Sequence, residues 1–271
     1  MHQSMFSTSL IVTTYNNPDA LYLCLQSILQ QSVQPGELLI ADDGSGEPTK
    51  QLVVEFSSQI KIPVKHVWQE DDGFRLSGIR NKAFAQSAGD YIIQIDGDLI
   101  LHRHFIKDHI AFAKPGYFVS GARTNIDHYQ TELLLQQGKT PLLKFFSKGL
   151  RKRYNAFHNI FFQHVNSVLQ TSPRNMHYVL GCNMAFWKKD LQEVNGYNEV
   201  FLGWGKEDND ITARLMNAGR KLRFLKFGAI VFHLWHKENS SPLLSENERL
   251  FLQSIDNKVT YVEKGMDQYV I

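Results

Sequence analysis

The sequence predicts an α/β fold, a parallel sheet sandwiched between helical layers, and three observations carry that expectation. Apolar β-branched runs alternate with amphipathic segments through the first half of the chain. The runs stop abruptly at polar clusters, at 13–16, at Asp42-Asp43 and at Asp96-Gly97-Asp98. Open α/β sheets gather ligands at the carboxyl ends of their strands, so these clusters are expected to share one crevice.

Each element follows from its pattern. Ser9-Leu10-Ile11-Val12-Thr13 reads as a strand, and Pro18, pre-set for a first helical turn, opens an amphipathic helix to Leu29. Residues 38–41 repeat the strand signal, 48–56 read as a second helix, 62–68 as a third strand and 77–88 as a third helix. Tyr91-Ile92-Ile93-Gln94-Ile95 is a buried strand that ends at Asp96-Gly97-Asp98. The pattern changes after Gly121, and no acidic residue occurs from Leu133 to Lys189. Within that tract, residues 142–153 interleave Leu142, Phe145, Phe146 and Leu150 with Lys144, Lys148, Arg151, Lys152 and Arg153 at roughly helical spacing. A helical hairpin or lid inserted in the sheet domain is the expectation. Order resumes at Tyr178-Val179-Leu180-Gly181, with a helix from Lys188 and another over 207–218 that Gly219 caps. Residues 222–224 and 229–232 read as short strands that lead to His233-Leu234-Trp235-His236.

Composition narrows the class. The 271 residues suit one large α/β domain with an insertion, and 43% hydrophobic with 21% charged residues is ordinary for a globular protein. A net charge of +2 gives no basis for nucleic-acid binding, which needs many clustered cations. Cys24 and Cys182 show neither metal-ligand spacing nor a disulfide framework, which points to the cytosol. No signal peptide is visible, and no apolar run approaches the ~20 residues that span a bilayer.

Several clusters carry chemistry beside a plainer reading. Asp96 and Asp98 at a strand end suit a hard divalent cation bound to a diphosphate, although Asp-Gly-Asp is also an ordinary turn. Asp42 can accept from a base N–H or simply terminate a strand. Thr13 and Tyr15 lie where a nucleobase can be hydrogen-bonded and stacked, or form a polar βα loop. Arg75 and Arg80, the better candidate, flank the third helix and can meet a diphosphate or remain solvated. Glu207 and Asp208 open a helix whose dipole favours their ionised, base-competent form, the alternative being plain first-turn charge complementarity. Trp204 beside them suits a sugar face or a core. His233 and His236 can complete a carboxylate metal site or be structural.

Taken together, Val12-Thr13-Thr14-Tyr15-Asn16, Ala41-Asp42-Asp43-Gly44-Ser45, Gly78-Ile79-Arg80-Asn81-Lys82-Ala83 and Asp96-Gly97-Asp98 resemble the family-2 glycosyltransferases of the GT-A fold. The segment from Asn195-Gly196-Tyr197 through Gly203-Trp204-Gly205-Lys206-Glu207-Asp208, with His233-Leu234-Trp235-His236-Lys237, is similar to the galactosyltransferase-type ending of animal β-1,4-galactosyltransferases. The resemblance implies a three-layer α/β/α nucleotide-diphosphosugar transferase fold, while the mainly helical insertion rests on the pattern of the basic tract, which finds no clear match in the family. It implies that Thr13, Tyr15, Asp42, Arg80, Asp96 and Asp98 bind the nucleotide sugar, Asp96 at the ribose. It implies a Mn2+ or Mg2+ ion on Asp98 and His233, with Asp96 beside it. Asp208 is the implied catalytic base with Glu207 next to it, and Trp204 and Asn209 face the acceptor. Asn209 stands where the animal enzymes have an acceptor-holding Asp, so acceptor identity does not carry over.

The expected activity is therefore inverting transfer from a nucleotide-diphosphate donor, with UDP implied by resemblance, to a hydroxyl of a saccharide or lipid-linked saccharide. Such a reaction belongs to bacterial-type polysaccharide or lipid-linked glycan synthesis. One catalytic domain is expected, with a nucleotide-sugar half over 1–121, a basic insertion over 122–177, an acceptor and catalytic half over 178–240 and a helical tail over 241–271. A basic amphipathic helix over 142–153 can lie on an anionic membrane or close as a lid, so the expected location is cytoplasmic, with contact at the inner membrane face as one alternative. Two rivals remain: a sugar-phosphate nucleotidyltransferase, which would want a Gly-rich loop where Tyr15-Asn16-Asn17-Pro18 stands, and a non-catalytic carbohydrate-binding protein.

Overall fold

The structure is a computed structural model that describes residues 6–169, 173–237 and 242–270. The first half alternates as expected: β1 (Thr8–Thr14), α1 (Pro18–Leu29), β2 (Glu37–Asp42), α2 (Glu47–Ser57), β3 (Val64–Trp68), α3 (Leu76–Gln86) and β4 (Tyr91–Asp96). Local chemistry explains where α1 begins. The Asn17 side chain accepts from the Ala20 amide, and Pro18, whose missing N–H costs nothing in a first turn, follows it.

Beyond β4 come β5 (Leu99–Leu101), α4 (Phe105–Phe112), β6 (Tyr117–Gly121), β7 (Arg123–Ile126), α5 (His128–Gln137), β8 (Leu150–Arg151) and α6 (Ile160–Leu169). The remainder is β9 (Asn183–Trp187), α7 (Lys188–Val194), α8 (Glu207–Asn217), β10 (Lys221–Leu225), β11 (Val231–His233) and α9 (Leu244–Asp256). The main sheet has the order β3-β2-β1-β4-β9-β6-β10, and a smaller sheet has the order β5-β11-β7-β8. Alternation along the strands makes the layers. Leu10, Val12, Leu38 and Ile40 pack with α1, α2 and α4 on one face, while Ile11, Leu39 and Ala41 pack with α3, α7 and α8 on the other.

Two expectations are corrected. The main sheet is mixed, because β9 runs antiparallel to both β4 and β6. Asn183, the first residue of β9, lies opposite Ile95 near the end of β4, so the chain re-enters the sheet at its ligand end and has to run back. Order resumes after 178–181, which are the end of a 3₁₀ turn and a loop, and the strand itself is β9. The second correction concerns 142–153, which form no α-helix, although a short 3₁₀ helix begins at Arg153. Residues 145–146 and 148–149 are turns, Gly149 takes φ +73°, and Leu150–Arg151 pair with Asn125 and Ile126 as β8. A Cβ on Gly149 would lie 2.5 Å from Gln130 Cβ, so the backbone there is pressed against α5. Leu143 and Leu150 are buried with Ile126, Ile230 and Phe232, and this packing prevails over the helical spacing.

Helices α5 and α6 do lie in the expected insertion, part of which, 170–172, falls outside the described residues. So does the expected boundary at 240/241, while α9 occupies the expected helical tail. Among the described residues no helix is long and apolar enough to cross a membrane.

Arg214 locks α7, α8 and α9 together. Fully buried, it donates to Asp210 at 2.7 Å and to the carbonyls of Val194 and Gly196 at 2.8 Å, while Asp210 also accepts from Ser254 of α9. Arg214→Leu leaves the Asp210 carboxylate buried without its countercharge. The expected loss is about 3–5 kcal/mol of unfolding free energy, measured by chemical denaturation.

Candidate active site

Strand register assembles the crevice. Thr13 lies opposite Asp96, and Thr14 opposite Asp42, so the polar ends of β1, β2 and β4 are neighbours, as expected. Gly97 permits the close turn there: its amide donates to Thr13 O at 2.7 Å, and a Cβ would lie only 3.0 Å from that oxygen.

Two residues expected at the base have internal partners. The Thr13 hydroxyl donates to Ile95 O at 3.0 Å and lies 3.3 Å from Asp96 Oδ1. Asp42 is fully buried, accepting from the Ser45 amide at 2.8 Å and pairing with His66 at 2.9 Å. Both therefore shape the crevice floor, and their side chains hold the strand ends rather than reaching outward. Tyr15 differs, since its ring is exposed while its hydroxyl donates to Asp71 at 3.0 Å.

The small sheet builds a donor set around Asp98. Strand β5 pairs antiparallel with β11, Leu99 opposite His233, and the Leu234 amide donates to Asp98 O at 3.0 Å. This register brings His233 Nε2 to 3.2 Å and His236 Nε2 to 3.3 Å from Asp98 Oδ2. Asp98 Oδ1 is buried with no hydrogen-bond partner among the described residues. A carboxylate with an orphaned oxygen and two imidazoles, their ligand atoms within 4.8 Å of one another, fit a divalent cation. Asp96, expected beside the metal, is outside this group, and its Oδ1 accepts from Arg80. Burial acts to raise the Asp98 pKa, but hydrogen bonds from both histidines outweigh it and hold the carboxyl below its usual range. The same hydrogen bond pushes His236 up to about 9.

Arg80 is not a solvated hand for a diphosphate. It is 1% exposed, donates to Asp96 Oδ1 and Asp208 Oδ1 at 3.0 Å each, and lies 5.1 Å from the centroid of the Tyr197 ring. Burial opposes its charge, but Tyr197, Asp208 and Asp96 raise its pKa above the ordinary value, so it is a fixed cation. Tyr197 OH donates to the same Asp208 oxygen at 2.8 Å and is itself held by Gln94 Nε2 at 3.0 Å. Among the described residues no hydrogen bond engages Asp208 Oδ2. That oxygen stands over Gly181, where a Cβ would lie 1.8 Å away.

Glu207 behaves differently from its neighbour. It is buried, its carboxyl accepts from the Gly205 amide at 2.9 Å, and burial followed by the Asp208 charge pushes its pKa up to about 8. Desolvation therefore outweighs the helix dipole, contrary to the expectation of an ionised pair. Trp204 is 53% exposed in the turn before α8, where an acceptor ring can stack. Asn209, expected to face the acceptor, donates from Nδ2 to Met176 O at 2.8 Å.

Sequence reasoning missed Gln94, Tyr197 and Gly181 as site residues, and it left His236 open between a metal ligand and a structural residue, with only His233 carried over by family likeness. The Asn195-Gly196-Tyr197 block was the one signal for Tyr197. A second metal-capable group, His102, Asp108 and His158, lies beyond the far end of β5, where Asp108 also accepts from the Ala229 amide at 2.9 Å.

Residues 9–193, more than half of the chain, match the family described as Glycosyl transferase family 2, and residues 163–237 match the description N-terminal domain of galactosyltransferase. The chain is 26% identical over 277 residues to a chondroitin synthase of Escherichia coli, covering 93% of this chain and 38% of that protein. It is 26% identical over 274 residues to a hyaluronan synthase of Pasteurella multocida, covering 95% of this chain and 28% of that one. A validoxylamine A glucosyltransferase of Streptomyces hygroscopicus subsp. limoneus is 24% identical over 221 residues, with coverage of 76% and 47%. The chain thus spans less than half the length of these relatives. The crystal structure of S. aureus TarS 1-349 in complex with UDP-GlcNAc superposes with a TM-score of 0.66 at 18% identity, over 97% of this chain and 70% of that one. The fold is the three-layer α/β/α GT-A fold with a mainly helical insertion.

The Asp98 group yields a pH prediction. Because the folded value for His236 of about 9 lies above the usual histidine value of about 6.5, its stabilising contribution is complete below about pH 6.5 and fades as pH rises through about 9. NMR titration of the histidine rings in chelator-treated protein should show that late transition. Asp98→Asn should return it toward the usual value.

Proposed function

The chain belongs to glycosyl transferase family 2, and from that premise we propose that it is a metal-dependent, inverting glycosyltransferase that moves a sugar from a UDP-sugar onto a saccharide hydroxyl. One observation carries the reading: Asp208 has one oxygen clamped by Arg80 and Tyr197 and the other unengaged at the crevice. A carboxylate prevented from rotating, with one oxygen open, is what a general base for a single displacement requires. Asp208 Oδ2 takes the acceptor hydroxyl proton as that oxygen attacks the anomeric carbon. The bond from that carbon to the diphosphate oxygen breaks on the opposite face, so the configuration inverts.

The remaining residues bind and orient. Asp96, whose side chain is 34% exposed, keeps Oδ2 for the ribose while Oδ1 holds Arg80. Tyr15 offers its exposed ring to the base, and Trp204 offers the indole face to the acceptor. Asp98, His233 and His236 would hold manganese or magnesium, which when bound offsets charge on the departing diphosphate. The UDP and UDP-GlcNAc named in the TarS complexes support a uridine donor. The chondroitin and hyaluronan synthases support a glycan acceptor, free or lipid-linked, in polysaccharide synthesis. We read the two halves and the insertion as one catalytic unit. Two free, buried cysteines agree with a reducing, cytoplasmic compartment.

Asp208→Asn is expected to lower transfer by roughly 10²–10⁴-fold, the scale of losing a general base, with nucleotide affinity near wild type. Glu207→Gln should retain most activity. Single-turnover transfer from a panel of UDP-sugars tests both, and an exchange of the two phenotypes would make Glu207 the base. If glycan binds but no donor is ever turned over, the protein is a non-catalytic binder.

The cation requirement is tested separately. Calorimetry with UDP should show affinity that chelator abolishes and manganese restores, since two carboxylates facing a diphosphate otherwise repel it. Asp98→Asn and His233→Ala should each weaken only the metal-dependent part. Equal affinity with and without chelator would remove the metal from the reading.

A further inference from the structure

We propose that the aromatic and basic face formed by 142–162 and Phe227 docks the protein on an anionic lipid surface. Six phenyl rings from four separate segments touch in one continuous patch. Phe145 meets Phe146 at 4.9 Å and Phe157 at 6.0 Å, Phe162 meets Phe161 at 5.7 Å, and Phe227 joins Phe157 and Phe162 at 6.2 and 5.7 Å. Much of this is open to solvent, Phe146 by 84% and Phe161 by 69%, with Ile160 and Tyr154 exposed beside them. Single exposed apolar residues are ordinary, but a contiguous patch of this kind marks an interaction surface.

The patch is built into the fold. Phe227 holds φ +62°, a left-handed conformation that a bulky residue adopts only when its surroundings impose it, and its carbonyl accepts from the Asn159 amide at 2.9 Å. The neighbouring His158 is tied to Asp108 at 2.9 Å. Phe145 and Phe146 occupy a turn, and Ile160, Phe161 and Phe162 occupy the first turn of α6, so the rings project from tips.

Charge selects the occupant. Lys144, Lys148, Arg151, Lys152 and Arg153 are exposed along the same stretch of chain that carries Phe145, Phe146 and Phe157, and none pairs with a carboxylate among the described residues. The tract from 133 to 189 contains no acid at all. Phenyl rings at projecting tips, with unpaired cations along the same stretch of chain, match a bilayer interface whose headgroups are anionic and whose interior is apolar. A second copy of the same face would set these cations against each other in an isologous contact, which disfavours a dimer through it. Lipid docking does not rest on the sugar chemistry. The two are nevertheless linked, because β8 of this face and the strand carrying His233 belong to one small sheet, β5-β11-β7-β8.

Co-sedimentation of the full chain with phosphatidylcholine vesicles, with and without phosphatidylglycerol, tests the proposal. Binding is expected only with phosphatidylglycerol and should weaken as salt rises. Two double variants, Phe146→Ser with Phe161→Ser, and Lys148→Glu with Lys152→Glu, should each lower the partition coefficient about tenfold or more. All four positions are exposed, and unchanged UDP binding and circular dichroism show that the fold is intact. No binding at low salt, equal binding to neutral vesicles, or wild-type binding by either variant would overturn the proposal. Concentration-dependent dimerisation lost in the phenylalanine variant, without vesicle binding, would assign the face to a second copy.

Discussion

A guanidinium buried between two carboxylates from different parts of the chain is the constraint on which the crevice depends. Arg80 comes from α3, Asp96 from the end of β4, and Asp208 from the first turn of α8. Burying one cation costs far more than a surface ion pair returns, and the cost is tolerable only because both partners and the Tyr197 ring surround it. Without the cation, Asp96 and Asp208 would meet as like charges in a partly dry site. The pair of bridges therefore serves position more than stability, fixing the distance between the end of β4 and the first turn of α8.

This arrangement explains why some of the site was legible in the sequence and some was not. Strand ends are local signals: the apolar run 91–95 followed by Asp96-Gly97-Asp98 announces both a strand and its polar terminus. The Asp98–His233 pairing depends on the β5–β11 register, which no local pattern encodes, so the sequence left both histidines open between metal ligands and structural residues, and only His233 gained a role through family likeness. Arg80 was read as an exposed hand because burial of an arginine depends on partners over a hundred residues away. Gly181 gave no signal, since its importance is the volume it leaves to Asp208.

The misreading of 142–153 has a different cause. Spacing alone favoured a helix, but Gly149 in a left-handed turn and the pairing of Leu150 with Ile126 divert the chain into the edge of the small sheet. Periodicity measures which residues can share a face; it does not register that Leu143 and Leu150 gain more by joining the Phe232 cluster than by lining one side of an isolated helix. The basic residues are then displayed from loop, turn and edge strand, in the same stretch of chain as rings that meet others from segments far apart in sequence. The small sheet consequently joins the metal-capable group to the most exposed aromatic surface of the insertion.

Glu207 and Asp208 show how neighbouring acids acquire separate roles. Both begin α8 and both feel its dipole, which by itself would favour charge on each. Their surroundings then diverge. Glu207 is buried beside the Asp208 charge, receives one backbone hydrogen bond, and has its pKa pushed up to about 8 by burial and then by that charge. Asp208 receives a guanidinium and a phenol on one oxygen and leaves the other at the crevice. The raised Glu207 pKa disfavours a second negative charge beside Asp208, whose own charge is met by Arg80. The division of labour between two acids adjacent in sequence thus comes from burial and hydrogen-bond supply, and the helix terminus they share does not decide it.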